Sequence, residues 1–208
     1  MKRILSCLLL TVILTLSLAS CGGSGLSEAE MSEIFRSLTE ASYALNEVYY
    51  GEGLPYREDE ALMKQLTGVA SDAKNFRVSY MPVAENAPFT SESAIREETK
   101  KIFSDAMCEY LFTLAFDGMS TGDETGKETI SHARYIEKDG VLTVRIDLAE
   151  DAIPMGRTYD FSAITVIADE PSRIKASFPS LLNGERSVDV RLTIVLTPDG
   201  WRLDSPTY

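Results

Sequence analysis

Histidine is almost missing from this chain and cysteine is scarce: His132 stands alone, and the cysteines are Cys7, Cys21 and Cys108. Only Cys108 falls inside the region that reads as a folded domain, which leaves no internal disulfide and no Cys/His zinc constellation. A Cys108–His132 nucleophile pair fares no better. Cys108 lies in "SDAMCEYLFTLAF", apolar on nearly every side, where a thiol behaves as a small buried hydrophobe without the electropositive setting of a thiolate. Basic charge is equally thin. Lys and Arg number 20 against 32 Asp and Glu, for a formal charge of −12, and no cluster is denser than Lys100-Lys101. Phosphate recognition needs a basic stripe, so nucleic acid is excluded as a partner, and anionic lipid is not expected to attract the chain. No repeat or low-complexity tract occurs. The one long apolar run, Ile4 to Leu18, falls short of the roughly 20 residues that span about 30 Å of hydrocarbon.

That short run is nevertheless informative. Lys2 and Arg3 precede it as a basic n-region, and Ala19 and Ser20 follow as small residues before Cys21, which is the order of a secretory targeting segment. The residues Leu18-Ala19-Ser20-Cys21 resemble the lipobox of bacterial lipoproteins. The resemblance implies cleavage before Cys21 and a diacylglycerol on its thiol, so that residues 1–20 are a signal peptide and the membrane is a partner through the lipid. The location implied is the outer face of the bacterial cytoplasmic membrane or the cell envelope. Residues 21–27, with Gly22, Gly23, Ser24 and Gly25, are expected to form a flexible tether. Loss of Lys2 and Arg3 takes the formal charge from −12 to −14. The remaining 188 residues suit one domain, assigned here to 28–208, with a core large enough to need no disulfide.

Helical periodicity dominates the first part of that domain. Met31, Ile34, Phe35, Leu38, Leu45, Val48 and Tyr49 recur on one face, Ser27 with Glu30 makes a capping box, and Gly51 stops the helix. A weaker helix is expected over Glu58 to Leu66. The stretch "NFRVSYMPV" alternates as a strand that Pro82 ends. Two more helices are expected, Ser93 to Phe103 and, after Ser104 as N-cap, Asp105 to Phe116 with Met107, Tyr110, Leu111 and Leu114 on one face. Beyond the loop "DGMSTGDETGKET" the period becomes two. A hairpin turns at Asp139-Gly140, and "YDFSAITVIA", "RIKASFP" and "SVDVRLTIVLTPDGWRL" supply at least four further strands with a turn at Asp199-Gly200.

Helices first and a meander last predict an α+β fold in which N-terminal helices pack on one face of an antiparallel sheet. Taken with the closing stretch "DGWRLDSPTY", the element order over residues 28–208 resembles the NTF2-like (cystatin-like) superfamily. Two helices between the early strand and the meander depart from its simplest form. The resemblance implies a curved β-meander and, in many members, a cone-shaped cavity between sheet and helices, used by enzymes, binding proteins and structural dimers alike.

Several motifs fail on spacing. "GDETGKE" at Gly122 to Glu128 has three residues between its glycines where a phosphate loop has four, and Glu128 stands where Ser or Thr would hold magnesium. Asp117, Asp123 and Glu124 miss the EF-hand spacing and read as a solvated acidic loop with a weak calcium alternative. No cofactor and no metal site are expected. The remaining candidate is "YYGEGLPY", where Tyr43, Tyr49, Tyr50 and Tyr56 crowd a Gly-Pro turn carrying Glu52. Tyrosines suit peptide or glycan contact, which makes Tyr49, Tyr50, Glu52 and Tyr56 candidate ligand contacts. The simpler alternative is structural: Tyr49 belongs to the helix stripe and Tyr56 packs the turn.

Two functional classes follow. A tether and a domain without a catalytic set favour a non-enzymatic lipoprotein that binds an envelope protein or cell-wall ligand, including an accessory factor or inhibitor of cell-wall hydrolases. The alternative is a small enzyme with Asp, Glu, Tyr or His132 projecting into the cavity. A deep pocket lined by carboxylates, Tyr and His132 would favour the enzyme; an interior filled with apolar side chains would favour binding by the outer surface.

Overall fold

The structure, a computed structural model, describes residues 23–57, 80–122, 128–150, 152–153 and 156–208. Helix α1 (Glu28–Tyr49) begins where the sequence places it. Ser27 Oγ accepts from the Glu30 N–H, and a Glu30 carboxylate oxygen accepts from the Ser27 N–H at 2.8 Å, completing the capping box. Met31, Phe35, Leu45, Val48 and Tyr49 are buried along its inner face. Strand β1 (Tyr80–Pro82) follows, then α2 (Glu92–Ile102) capped by Ser91 and α3 (Asp105–Phe112) capped by Ser104. The helix expected at Glu58 to Leu66, and the first part of "NFRVSYMPV", lie outside the described residues.

Helix α3 departs from expectation at its end. Instead of running to Phe116 it passes into a π-turn over Thr113–Asp117. The buried stripe follows the i, i+4 spacing of Met107, Leu111 and Ala115, so Tyr110, which lies before the π-turn, is 44% exposed and leaves the face it was assigned to, and Leu114 is only half-buried.

The strands are all paired antiparallel, but they do not make one continuous meander. Strands β4 (Tyr135–Lys138) and β5 (Val141–Arg145) form the expected hairpin, with Asp139 at φ 54° and Gly140 at φ 75° as a type I′ turn requires, and β1 adds to β5 in the order β1-β5-β4. Strands β7 (Thr165–Glu170), β8 (Arg173–Phe178), β11 (Val190–Thr197) and β12 (Gly200–Leu203) form a four-stranded sheet ordered β12-β11-β8-β7. A third sheet joins β6 (Arg157–Tyr159), β9 (Ser180–Leu182) and β10 (Glu185–Arg186) in the order β10-β9-β6. Much of the stretch expected as a loop after α3 is instead paired, in an antiparallel hairpin of β2 (Met119–Gly122) and β3 (Glu128–Ser131). The chain is thus α+β with helices set against antiparallel sheets, and no sheet among the described residues closes into a barrel.

The core lies between α1 and the four-stranded sheet. Ile174, Ala176 and Phe178 of β8, Leu192 and Ile194 of β11 and Leu203 of β12 are fully buried, and Phe178 meets Phe35 edge-on at 5.1 Å between ring centroids. The segment expected to be a free tether is partly fastened to this layer. The Ser24 N–H donates to the Asp169 carboxylate at 2.8 Å, and Leu26 packs against the core.

Candidate functional site

The tyrosine-rich turn is built on the C-terminal end of α1. The last carbonyls of a helix have no partner within it and concentrate partial negative charge. Here Tyr135, the first residue of β4, and Arg134 just before it supply the partners. Arg134 Nε donates to the Val48 carbonyl at 3.0 Å and its Nη2 to the Gly51 carbonyl at 2.6 Å, while the Tyr135 hydroxyl also donates to Val48 at 3.0 Å. The same hydroxyl accepts from the Leu54 N–H at 3.1 Å. Gly53, at φ 86°, passes between Tyr135, Val144 and Leu148 so closely that a Cβ would lie 2.8 Å from Leu148. Both residues of the clamp are buried, Arg134 at 8% exposure and Tyr135 fully. Burial pushes the Tyr135 phenol up to about 12, against the pull of Arg134, so it stays protonated and donates.

This framework decides the fate of the candidate contacts. Tyr49 is 1% exposed, with its hydroxyl in a 2.7 Å hydrogen bond to Thr99 Oγ1. Tyr50 is 7% exposed and its ring lies 3.9 Å, centroid to centroid, from that of Tyr208. Burial raises both phenols well above the ordinary tyrosine value. Neither ring offers a contact surface, so the grouping of Tyr49 and Tyr50 with Glu52 and Tyr56 is corrected. Glu52 is exposed. Tyr56 is 43% exposed, in a single antiparallel bridge to Val83, so the expectation that it packs the turn is reversed. The accessible remnant is Glu52 and Tyr56.

The other candidates are placed as follows. Cys108 is 4% exposed, its Sγ donates to the Phe103 carbonyl at 3.6 Å, and burial first, then the nearby Asp105 carboxylate, pushes its thiol up to about 11. Such a thiol is inert at neutral pH. His132 uses its backbone carbonyl to accept from Arg145 Nη1 at 3.0 Å. Asp123 and Glu124 lie outside the described residues, as does Cys21; among the described residues no group of three His, Cys, Asp or Glu side chains could hold a metal ion. Among the described residues, two open depressions stand out at the surface. One, of about 370 Å³, lies beside the start of α1 with Glu28, Glu33, Arg36 and Phe161 in its wall; the other, of about 400 Å³, lies at the start of α2 with Glu92, Arg96 and Glu137. In the second, the Glu137 carboxylate already accepts from the Glu92 N–H at 2.7 Å, and Arg96 pairs with Glu92 at 2.7 Å. Neither joins carboxylates, Tyr and His132.

Sequence inspection overlooks the Arg134–Tyr135 clamp. The pair sits 83 or more residues from the carbonyls it holds, and nothing at either end announces the partner. The chain matches no model of a known protein family, and no curated protein matches it.

Proposed function

We propose that the protein is a lipoprotein, anchored by a diacylglycerol on Cys21 at the outer face of a bacterial cytoplasmic membrane or elsewhere in the envelope, that presents a non-enzymatic binding domain to an envelope protein or cell-wall ligand. The observation that carries this is the sequence from Lys2-Arg3 through the apolar run to Leu18-Ala19-Ser20-Cys21. The domain is taken as an NTF2-like variant on its element order, helices before antiparallel strands. Binding by the outer surface is supported by an interior occupied by Phe35, Tyr135, Phe178, Leu192, Ile194 and Leu203, all fully buried, and by the inert state of Cys108. The first place to look for ligand contact is Glu52 with Tyr56.

The test is incorporation of labelled fatty acid in a bacterial host, comparing the native chain with Cys21→Ala. The native protein is expected to take up label and fractionate with membranes, and the variant to lose label and be released or remain an uncleaved precursor. Label retained by the variant, or never acquired by the native chain, defeats the proposal.

A further inference from the structure

The net charge conceals an uneven distribution. Along β8 the inward residues are Ile174, Ala176 and Phe178, which leaves Arg173 and Lys175 pointing outward. On β11 and β12 the inward residues Leu192, Ile194 and Leu203 leave Arg191 and Arg202 on that same outer face. Cross-strand register sets them together: Arg173 stands opposite Val195, which stands opposite Arg202, and Ser177 beside Lys175 stands opposite Arg191. Arg173 and Arg191 are exposed, Lys175 and Arg202 half-buried. The acids in these rows are Glu170 and Asp204, the latter paired with Arg173 at 3.1 Å. Arg202 donates to the Lys100 and Trp201 carbonyls at 3.2 and 3.0 Å, contacts that leave its charge uncancelled. The glutamates of α1 belong to the opposite side of the sheet, and at physiological ionic strength charges more than about 8 Å away are largely screened.

The anchor enters at the edge of this same sheet. Ser24 is fastened to Asp169 on the edge strand β7, whose place opposite Ile174 sets it on the core-facing side of the rim, so the three backbone steps from Cys21, a reach of about 10 Å when fully extended, hold the lipidated residue close to the edge around which the outer face begins. We propose that the domain does not stand off on a loose tether but lays the outer face of the β12-β11-β8-β7 sheet on an anionic phospholipid surface, with Lys175 and Arg191 as the principal contacts. This rests on Cys21 carrying its lipid. It runs against the expectation from net charge that anionic lipid would not attract the chain, because attraction acts locally, on the charges within a Debye length of the headgroups.

The experiment reconstitutes the lipidated full-length protein into vesicles of phosphatidylcholine, with or without phosphatidylglycerol. A nitroxide on Thr165→Cys, exposed on the outer face opposite Ser177, reports collisions with a water-soluble nickel chelate; Cys21 is blocked by lipid and Cys108 by burial. Collision rates should fall several-fold on phosphatidylglycerol vesicles relative to phosphatidylcholine, and recover in high salt. Each charge removed by Lys175→Gln or Arg191→Gln should weaken docking about fivefold. Equal rates on the two vesicles, with the acyl mass present on Cys21, overturn this inference and leave the lipoprotein proposal standing. Absence of the acyl mass overturns both. Protection on phosphatidylcholine that grows with protein density also overturns it, because a second copy of the chain then covers the face.

Discussion

Tyr135, not any tyrosine of the "YYGEGLPY" segment, holds the turn that ends α1. Its hydroxyl serves the Leu54 N–H and the Val48 carbonyl at once. Tyr135→Phe keeps the ring but strands a buried donor, and is expected to lower stability by about 1–3 kcal/mol in denaturant unfolding. An unchanged midpoint would show that Arg134 alone suffices. Tyr56→Ala should move stability by no more than about 0.5 kcal/mol, as exposed substitutions do, whereas Tyr50→Ala, which removes a ring stacked on Tyr208, should cost roughly 3 kcal/mol. Cys108 supplies a pH signature. Its folded thiol keeps its proton up to about 11 against an ordinary value of 9.0, so the unfolded chain binds fewer protons between those values. Stability that is complete below pH 9 is therefore lost progressively as pH rises through that window. The same burial predicts that a bulky maleimide labels Cys108 only after unfolding; rapid labelling of the native protein would contradict the closed core around it.

Elements whose identity is written locally were legible in the sequence. Ser27 and Glu30 announce α1, and Ser27→Ala should cost about 1 kcal/mol in thermal unfolding. The Ser27 hydroxyl and N–H hold the Glu30 carboxyl below its ordinary value, so this bond stabilises above the unfolded carboxyl value and is lost as pH falls through the lower folded one. Asp139-Gly140 marks its hairpin with equal clarity. A Cβ at Gly140 would meet open space, so Gly140→Ala isolates the backbone penalty of φ 75°, about 1 kcal/mol. Elements set by tertiary contact were not legible. The π-turn after α3 leaves no mark in a residue pattern that suits an ordinary helix equally well. Strands β6, β9 and β10, two or three residues long, are too short to show alternation and exist because they pair with one another. The break between the sheets likewise depends on partners far apart in sequence.

At the scale of the whole molecule, composition was right about the total and silent about the arrangement. A charge of −12 says nothing about Lys175 and Arg191, because a period-two pattern sorts cations to one side of a sheet only after register is set. The candidate tyrosines illustrate the same gap: their spacing in sequence is close, yet the end of α1 and its C-cap carry Tyr49 and Tyr50 inward while Tyr56, beyond Gly53, is left outside. The tether shows it most directly. A Gly-rich segment reads as free, but the Ser24 hydroxyl and N–H hold the Asp169 carboxyl below its ordinary value, a preference that exists only because they bond the ionised form. Because the folded value is depressed, the docking it contributes is present above the unfolded carboxyl value and is lost as pH falls through the folded one. The Ser24 amide resonance should therefore titrate with a midpoint below that of an ordinary aspartate, and the transition should vanish in Asp169→Asn with the rest of the spectrum retained. A Ser24 resonance that stays at its disordered position from neutral pH through the acid range would mean that the anchor segment is free, and the domain would then have no fixed edge to turn toward the membrane.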